Sequence, residues 1–290
     1  MYNFAVSNVL GAIHNIIAGQ HFSLLDQAIG TNRINRQGES FEMFVRRAFA
    51  NDFTSANEIE FAKQTKSIFS YASSDSNPPD LMIRGGDALE VKKFESSPST
   101  IQINSSYPKA FLHSDYSLLT AECRNCESWT RKDLIYILAV IPKGSHKIRE
   151  IWFVDGACYA AERDVYESVF KRLKTSVHST LGLKISDSEL GRIINVDPLQ
   201  RTQLRIRGMW LIQHPRVAFQ NLFSNVQSNS FSIRTILRET KFQEIIGQNN
   251  SLEQQLEQLG CVLTRADVLN PNNRAKVMEV RTLSFNGAHV

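Results

Sequence analysis

NPPDLMIRGGDALEVKK, residues Asn77–Lys93, is the stretch on which the reading of this chain turns. Two prolines close a Ser/Asp/Asn-rich loop, Ser73–Pro79, and behind them the apolar residues switch to a period of two. Asp80–Arg84 and Asp87–Lys93 read as short strands, with Gly85-Gly86 as the hairpin signal between them. Pro79-Asp80 is followed, nine residues on, by Glu90-Val91-Lys92. Glu90 and Lys92 stand two apart on a strand and share a face. Register decides whether Asp80 joins them. A two-residue turn would pair Arg84 with Asp87 and send Asp80 to the opposite face. A three-residue loop, Gly85-Gly86-Asp87, pairs Asp80 with Lys92, Met82 with Glu90, Leu81 with Val91 and Ile83 with Leu89. Only the second register yields one apolar face and one chemical face, and a slip of one residue destroys it. The three-residue loop is therefore expected.

The chemistry of that face is specific. Two converging carboxylates, Asp80 and Glu90, form an oxygen-donor site for a hard divalent cation, and Mg²⁺ suits it when phosphate and water complete the octahedron. The metal lowers the pKa of bound water and neutralises charge on a phosphodiester. Lys92 beside them can orient or help deprotonate the attacking water and stabilise the charged transition state. A helix starting near Glu39 carries an apolar stripe of Phe41, Phe44, Val45, Ala48 and Phe49, with Arg46 and Arg47 off it. Glu42 adjoins the stripe and is the candidate third carboxylate, with Glu39 as the alternate.

Outward from the hairpin, the chain of 290 residues is long enough for one large domain or two small ones. With 42% hydrophobic and 21% charged residues it has globular composition, which excludes disordered and collagen-like classes. A formal charge of +4 permits a polyanionic partner without requiring one. No run approaches the roughly 18 apolar residues of a membrane span. The N-terminal run Phe4–Ala18 is broken by Asn8, His14 and Asn15, and no basic segment precedes it. It reads as an amphipathic helix rather than a signal peptide, and a cytoplasmic protein is expected. A second short helix is expected over Phe22–Ile29. Strands are expected at Ser117–Glu122, Leu134–Ile141, Ile148–Val154 and Leu204–Ile212, and near Val262 and Val277–Leu283. Helices are expected at Glu162–Ser176, with Val165, Val169, Phe170 and Leu173 inward, at Phe231–Ile246 and at Ser251–Leu259. Helices around a mixed sheet make the class α/β or α+β. The expected organisation is a single domain over 1–290, with a catalytic core of about 39–160 and a part of about 197–290 contributing DNA recognition.

Asp80, Glu90 and Lys92 resemble the PD-(D/E)XK nuclease motif. More widely, NPPDLMIRGGDALEVKK (Asn77–Lys93), NSSYPK (Asn104–Lys109), CRNCESWTRKDLIY (Cys123–Tyr136) and LRIRGMWLIQHP (Leu204–Pro215) are similar, in the same order, to the NgoPII-type restriction endonucleases. The resemblance implies the PD-(D/E)XK fold and a type II restriction endonuclease acting on double-stranded DNA with Mg²⁺. It also implies a homodimer and a short GC-rich palindrome, GGCC in the family's namesake. A cognate DNA methyltransferase would be the functional partner.

Other residues bear on the same reading. Lys93, Asn104, Ser105, Ser106, Tyr107 and Lys109 follow the catalytic strand; Lys93, Asn104 and Lys109 are candidate contacts to the DNA backbone, which position an enzyme without reading sequence. Arg205 and Arg207 alternate on the expected strand Leu204–Ile212, so both guanidinium groups share a face and could bind guanine O6 and N7. Trp210 reads as core. Asn270–Lys276 reads as a turn. Cys123 and Cys126 are half of a zinc site, but Cys158 and Cys261 are isolated and a structural zinc needs four ligands, so the pair reads as packing at the base of a helix. The rival readings are a PD-(D/E)XK repair or junction-resolving nuclease and a non-catalytic DNA-binding protein with a structural acidic cluster.

Overall fold

A computed structural model of the chain describes residues 7–24, 33–54, 58–73, 77–104, 106–181, 184–186, 189–194, 196–199, 201–223 and 230–289. In chain order its elements are α1 (Val9–Ala18), α2 (Arg33–Ala50), α3 (Glu58–Ile68), β1 (Phe69–Ala72), β2 (Leu81–Ile83), β3 (Ala88–Phe94), β4 (Thr100–Asn104) and β5 (Phe111–His113). There follow α4 (Ala121–Asn125), β6 (Arg131–Val140), β7 (Glu150–Asp155), α5 (Gly156–Tyr159), α6 (Arg163–Leu181), β8 (Lys184–Ser186) and β9 (Glu189–Ile194). The chain closes with β10 (Gln203–Ile206), β11 (Trp210–Gln213), α7 (Pro215–Ala218), β12 (Ser230–Arg238), α8 (Glu239–Gln248), α9 (Leu252–Gln258), β13 (Val262–Asn270) and β14 (Asn273–Ala288).

Among the described residues, nine strands form one mixed sheet in the order β1-β2-β3-β6-β7-β12-β14-β13, with β5 paired to β6. β3–β6 and β7–β12 are parallel, while the other pairs are antiparallel. Strand alternation divides the core in two. Leu81, Leu89, Ile135, Ile137, Phe153, Ile233 and Leu237 pack on one face with residues of α1, α2, α8 and α9. Met82, Ala88, Tyr136, Leu138, Trp152 and Ile236 face the other way, where the chain after β3 folds over them. This is the α+β class with a restriction-endonuclease-like core. Among the described residues, no helix is long and apolar enough to cross a membrane.

Several expectations are corrected. The Phe231–Ile246 segment is not one helix: its first half is β12, buried on both faces between β7 and β14. A short continuous apolar run fits a central strand as well as a helix, and its neighbours decide. Ser117–Glu122 is a turn leading into α4, whose N-cap Thr120 accepts from the Cys123 N–H, rather than a strand. Leu204–Ile212 splits at Arg207-Gly208-Met209 into two strands of different sheets, β10 pairing β9 and β11 pairing β4. Val165 and Leu173 of α6 are about half exposed, because that helix packs through Tyr166 against Tyr107 and Trp210. Phe22–Leu24 is extended, with Ser23 bridged to Lys147, and the rest of the expected second helix lies outside the described residues. Helix α2 begins at Arg33, earlier than Glu39. Arg47 is buried, its guanidinium 4.7 Å from the Phe61 ring.

Candidate active site

The hairpin has three loop residues, but they are Arg84-Gly85-Gly86. Ile83 N–H donates to Asp87 O (2.8 Å), Leu81 pairs with Leu89 and Met82 with Ala88. The expected register is thus displaced by two residues. A displacement of two leaves every side chain on its face, so Asp80 still joins Glu90 and Lys92. Gly85 takes φ +65°, the left-handed value such a loop requires. Two residues that the sequence reading quotes only within the block Cys123–Tyr136 hold the loop there. Lys132 Nζ donates to Ile83 O (3.1 Å) and Gly86 O (2.6 Å), and Glu127 accepts from Gly85 N (2.9 Å) while pairing with Lys132 at 2.5 Å. The signal for Lys132 was a charge at the head of an otherwise apolar strand; Glu127 left none.

Asp80 lies at the mouth of β2. Its backbone N–H donates to Leu89 O (3.1 Å), and its Oδ2 accepts from Val91 N–H (2.6 Å), which turns the carboxylate toward β3. On β3, Lys92 Nζ stands 2.7 Å from Glu90 Oε1. Burial is the main cause that pushes the Asp80 carboxyl well above its ordinary range; the charge of Glu90 adds to it, and Lys92 and the Val91 N–H oppose it only in part. Burial alone would lower the Lys92 ammonium, yet Glu90 and Asp80 together hold it above its ordinary value. Lys92 therefore sits in the site as a cation rather than as a neutral base.

This donor set suits a divalent metal. Both acids are oxygen ligands, and the Asp80 carboxylate has a backbone N–H but no cation within ion-pair distance among the described residues. Helix α2 brings Glu42 near enough for its charge to raise Asp80 slightly, the smallest of the causes. It does not complete a trio: among the described residues no three His, Cys, Asp or Glu side chains group as a metal cluster. The Glu39 side chain lies outside the described set.

The remaining candidates separate. Lys93 alternates with Lys92 and points to the other face of β3, half-buried. Asn104 ends β4, its backbone paired with Trp210, and its side chain lies outside the described set. Lys109, the other candidate contact, is 6% exposed, and Tyr136 Oη accepts its N–H (2.7 Å) and donates to its carbonyl (3.2 Å). Arg205 and Arg207 are exposed, Arg205 on β10 and Arg207 beyond its end, so they do not alternate on one strand. Trp210 packs half-buried against the core, as expected. Asn270–Lys276 forms the β13–β14 turn, where Asn272 accepts from Glu162 N–H (2.6 Å). Cys123 is buried in α4 with its Sγ 3.4 Å from Met82 Sδ, beneath the β2–β3 hairpin.

The NgoPII restriction endonuclease family model matches residues 7–268, nearly the whole chain and every part of the site just described. The chain belongs to the NgoPII restriction endonuclease family. It is 33% identical over 279 residues to the type II restriction enzyme NgoPII of Neisseria gonorrhoeae, covering 96% of this chain and 99% of that one. No solved structure matches. As a family member the chain is a type II restriction enzyme, a site-specific deoxyribonuclease whose substrate is DNA.

Proposed function

We propose that this NgoPII-family enzyme hydrolyses phosphodiester bonds of double-stranded DNA with Mg²⁺ at a short GC-rich palindrome, GGCC by family likeness. The observation that carries the reading is the juxtaposition of Asp80, Glu90 and Lys92 on adjacent strands, with Asp80 buried and unpaired with any cation among the described residues. Asp80 and Glu90 would hold the metal, whose chemistry when bound is to acidify water and neutralise phosphoryl charge. Lys92, kept positive by its two acidic neighbours, orients the attacking water and stabilises charge building on the phosphate. Glu42 lends negative charge from α2. Asn104, at the end of β4, contacts the DNA backbone, and Arg205 on β10 and Arg207 just beyond its end approach the bases.

A palindromic site calls for a two-fold symmetric homodimer in which each subunit cuts one strand. Residues 1–290 act as one endonuclease domain, with a catalytic core of about 39–160, and β12, β13 and β14 of the C-terminal part complete the sheet. The enzyme works in the cytoplasm beside a methyltransferase that protects host DNA. The test is digestion of phage DNA with Mg²⁺ and with EDTA, by wild type and Asp80→Asn, followed by sequencing of fragment ends. Discrete fragments with one shared end sequence, seen only with metal and wild type, are expected. A smear, or fragments from Asp80→Asn at the wild-type rate, would overturn the reading.

A further inference from the structure

A second lysine lies on the catalytic face. The Lys109 ammonium is enclosed: Nζ donates to Ser106 Oγ and to Tyr107 O (3.1 Å), 4.5 Å from the Tyr116 ring centre and 5.2 Å from that of Tyr107. Among the described residues no carboxylate stands within ion-pair distance of it. A buried ammonium is costly unless an anion answers it, and hydroxyl, carbonyl and ring faces answer it only in part.

The backbone beneath it is fixed from two sides. Tyr136, which holds both the N–H and the carbonyl of Lys109, is the cross-strand partner of Glu90 in the β3–β6 ladder. At the β7–α5 junction, a Cβ on Gly156 would stand 2.6 Å from Lys109 O and 2.7 Å from Ala110 O, so that peptide passes with no room for a side chain. Glu90 and Lys92 are the charged groups whose fields reach Lys109: burial lowers its ammonium to about 8, Glu90 pulls it up and Lys92 pushes it down. Lys92 is already engaged by Glu90 at 2.7 Å, whereas Lys109 spends its charge on no carboxylate contact.

We infer that Lys109 is a second cation of the active site, held in a tyrosine cage behind Glu90 and Lys92, supplying positive potential to the scissile phosphate without touching it. The inference rests on the active-site reading proposed above. A charge fixed in advance in a low-dielectric setting needs no reorganisation when charge builds on the phosphoryl oxygens. Its contribution therefore falls on the chemical step rather than on ground-state binding.

Lys109→Met keeps the chain length and suits an apolar cage, while removing the charge together with its hydrogen bonds to Ser106 and Tyr107. The expected result is a single-turnover cleavage rate in Mg²⁺ lowered roughly tenfold or more. Affinity for the same DNA in Ca²⁺ should stay within about twofold, with a melting temperature no lower than wild type. Lys109→Arg, which restores the charge, should cut faster than Lys109→Met. The inference is overturned if Lys109→Met cuts at the wild-type rate, if rate and affinity fall together, or if Lys109→Arg is no faster than Lys109→Met. Asp80→Asn run alongside separates the two levels. If Asp80→Asn cuts normally, the active-site reading fails; if it is dead while Lys109→Met is intact, only Lys109 loses its role.

Discussion

Two clusters of acids and cations lie three residues apart along β3, and they are built to opposite ends. Around Asp87, three buried or half-buried carboxylates and two cations interlock, with exposed Glu244 at the rim 3.8 Å from Lys241. Lys241 Nζ is 2.5 Å from Asp87 and 3.0 Å from Asp133, and Arg238 is 2.7 Å from both Asp133 and Asp155. Every carboxylate there touches a cation, and α8 is pinned to the ends of β6, β7 and β12. Around Glu90, by contrast, Asp80 has a single backbone N–H, and burial with the charge of Glu90 leaves its carboxyl strained upward. Acids outnumber cations in both clusters. The first gives each of its buried acids a cation contact and builds the fold, although burial still raises Asp87 to about 6 and holds Asp155 above its ordinary range. The second leaves a demand for positive charge that a divalent cation and Lys109 would meet, at some cost to stability.

The largest expected effect breaks the second cluster. Asp80→Asn and Lys92→Ala should each lower single-turnover cleavage by roughly a hundredfold or more, since both act where charge develops. Thermal unfolding of Asp80→Asn should show stability equal to or above wild type, because a buried, unpaired carboxylate has been removed. The mirror experiment breaks the first cluster. Lys241→Met leaves Asp87 buried without its cation and should cost about 3–5 kcal/mol in denaturant unfolding. Whatever fraction remains folded should cut DNA at the wild-type rate.

His214 offers a third, smaller contrast: a buried titratable group that belongs to neither cluster. It caps α7, its Nδ1 accepts from Arg216 N–H (3.1 Å), and burial lowers its pKa to about 4. With the folded value below the unfolded one of 6.5, its contribution is fully present above pH 6.5 and is lost as pH falls toward 4. The loss is on the order of 3 kcal/mol, and it should disappear from the pH dependence of unfolding in His214→Gln. The smallest effects belong to the exposed sheet. Arg205→Ala or Arg207→Ala should leave stability within about 0.5 kcal/mol. If either reads guanine, it costs about 1–3 kcal/mol of discrimination at one base pair; equal weakening on random DNA would make it a phosphate contact.

The catalytic hairpin was legible because period-two patterning, a Gly-Gly turn and facing acids all agree on faces. Its register was not, because displacement by two residues preserves that agreement, and the choice is made by Lys132 and Glu127, 46 and 42 residues away in sequence. β12 was misread because FSIRTIL satisfies helical spacing locally, while burial between β7 and β14 is a tertiary fact. Asn-Ser-Ser-Tyr-Pro-Lys has loop composition, which makes Lys109 a candidate phosphate contact and says nothing of its burial. What buries it is the Tyr136 hydroxyl, whose reach no local pattern encodes.

The central claim is that Asp80 lacks the direct cation contact that every acid of the Asp87 cluster has. It is tested most directly by the melting temperature of the DNA-free protein, titrated with Mg²⁺ or Ca²⁺ at constant ionic strength. Wild type should rise with metal by linkage to binding of the folded state, as should Lys241→Met from its lower baseline, while Asp80→Asn should show no rise. A wild type indifferent to both cations, or an Asp80→Asn that rises as wild type does, would contradict the account.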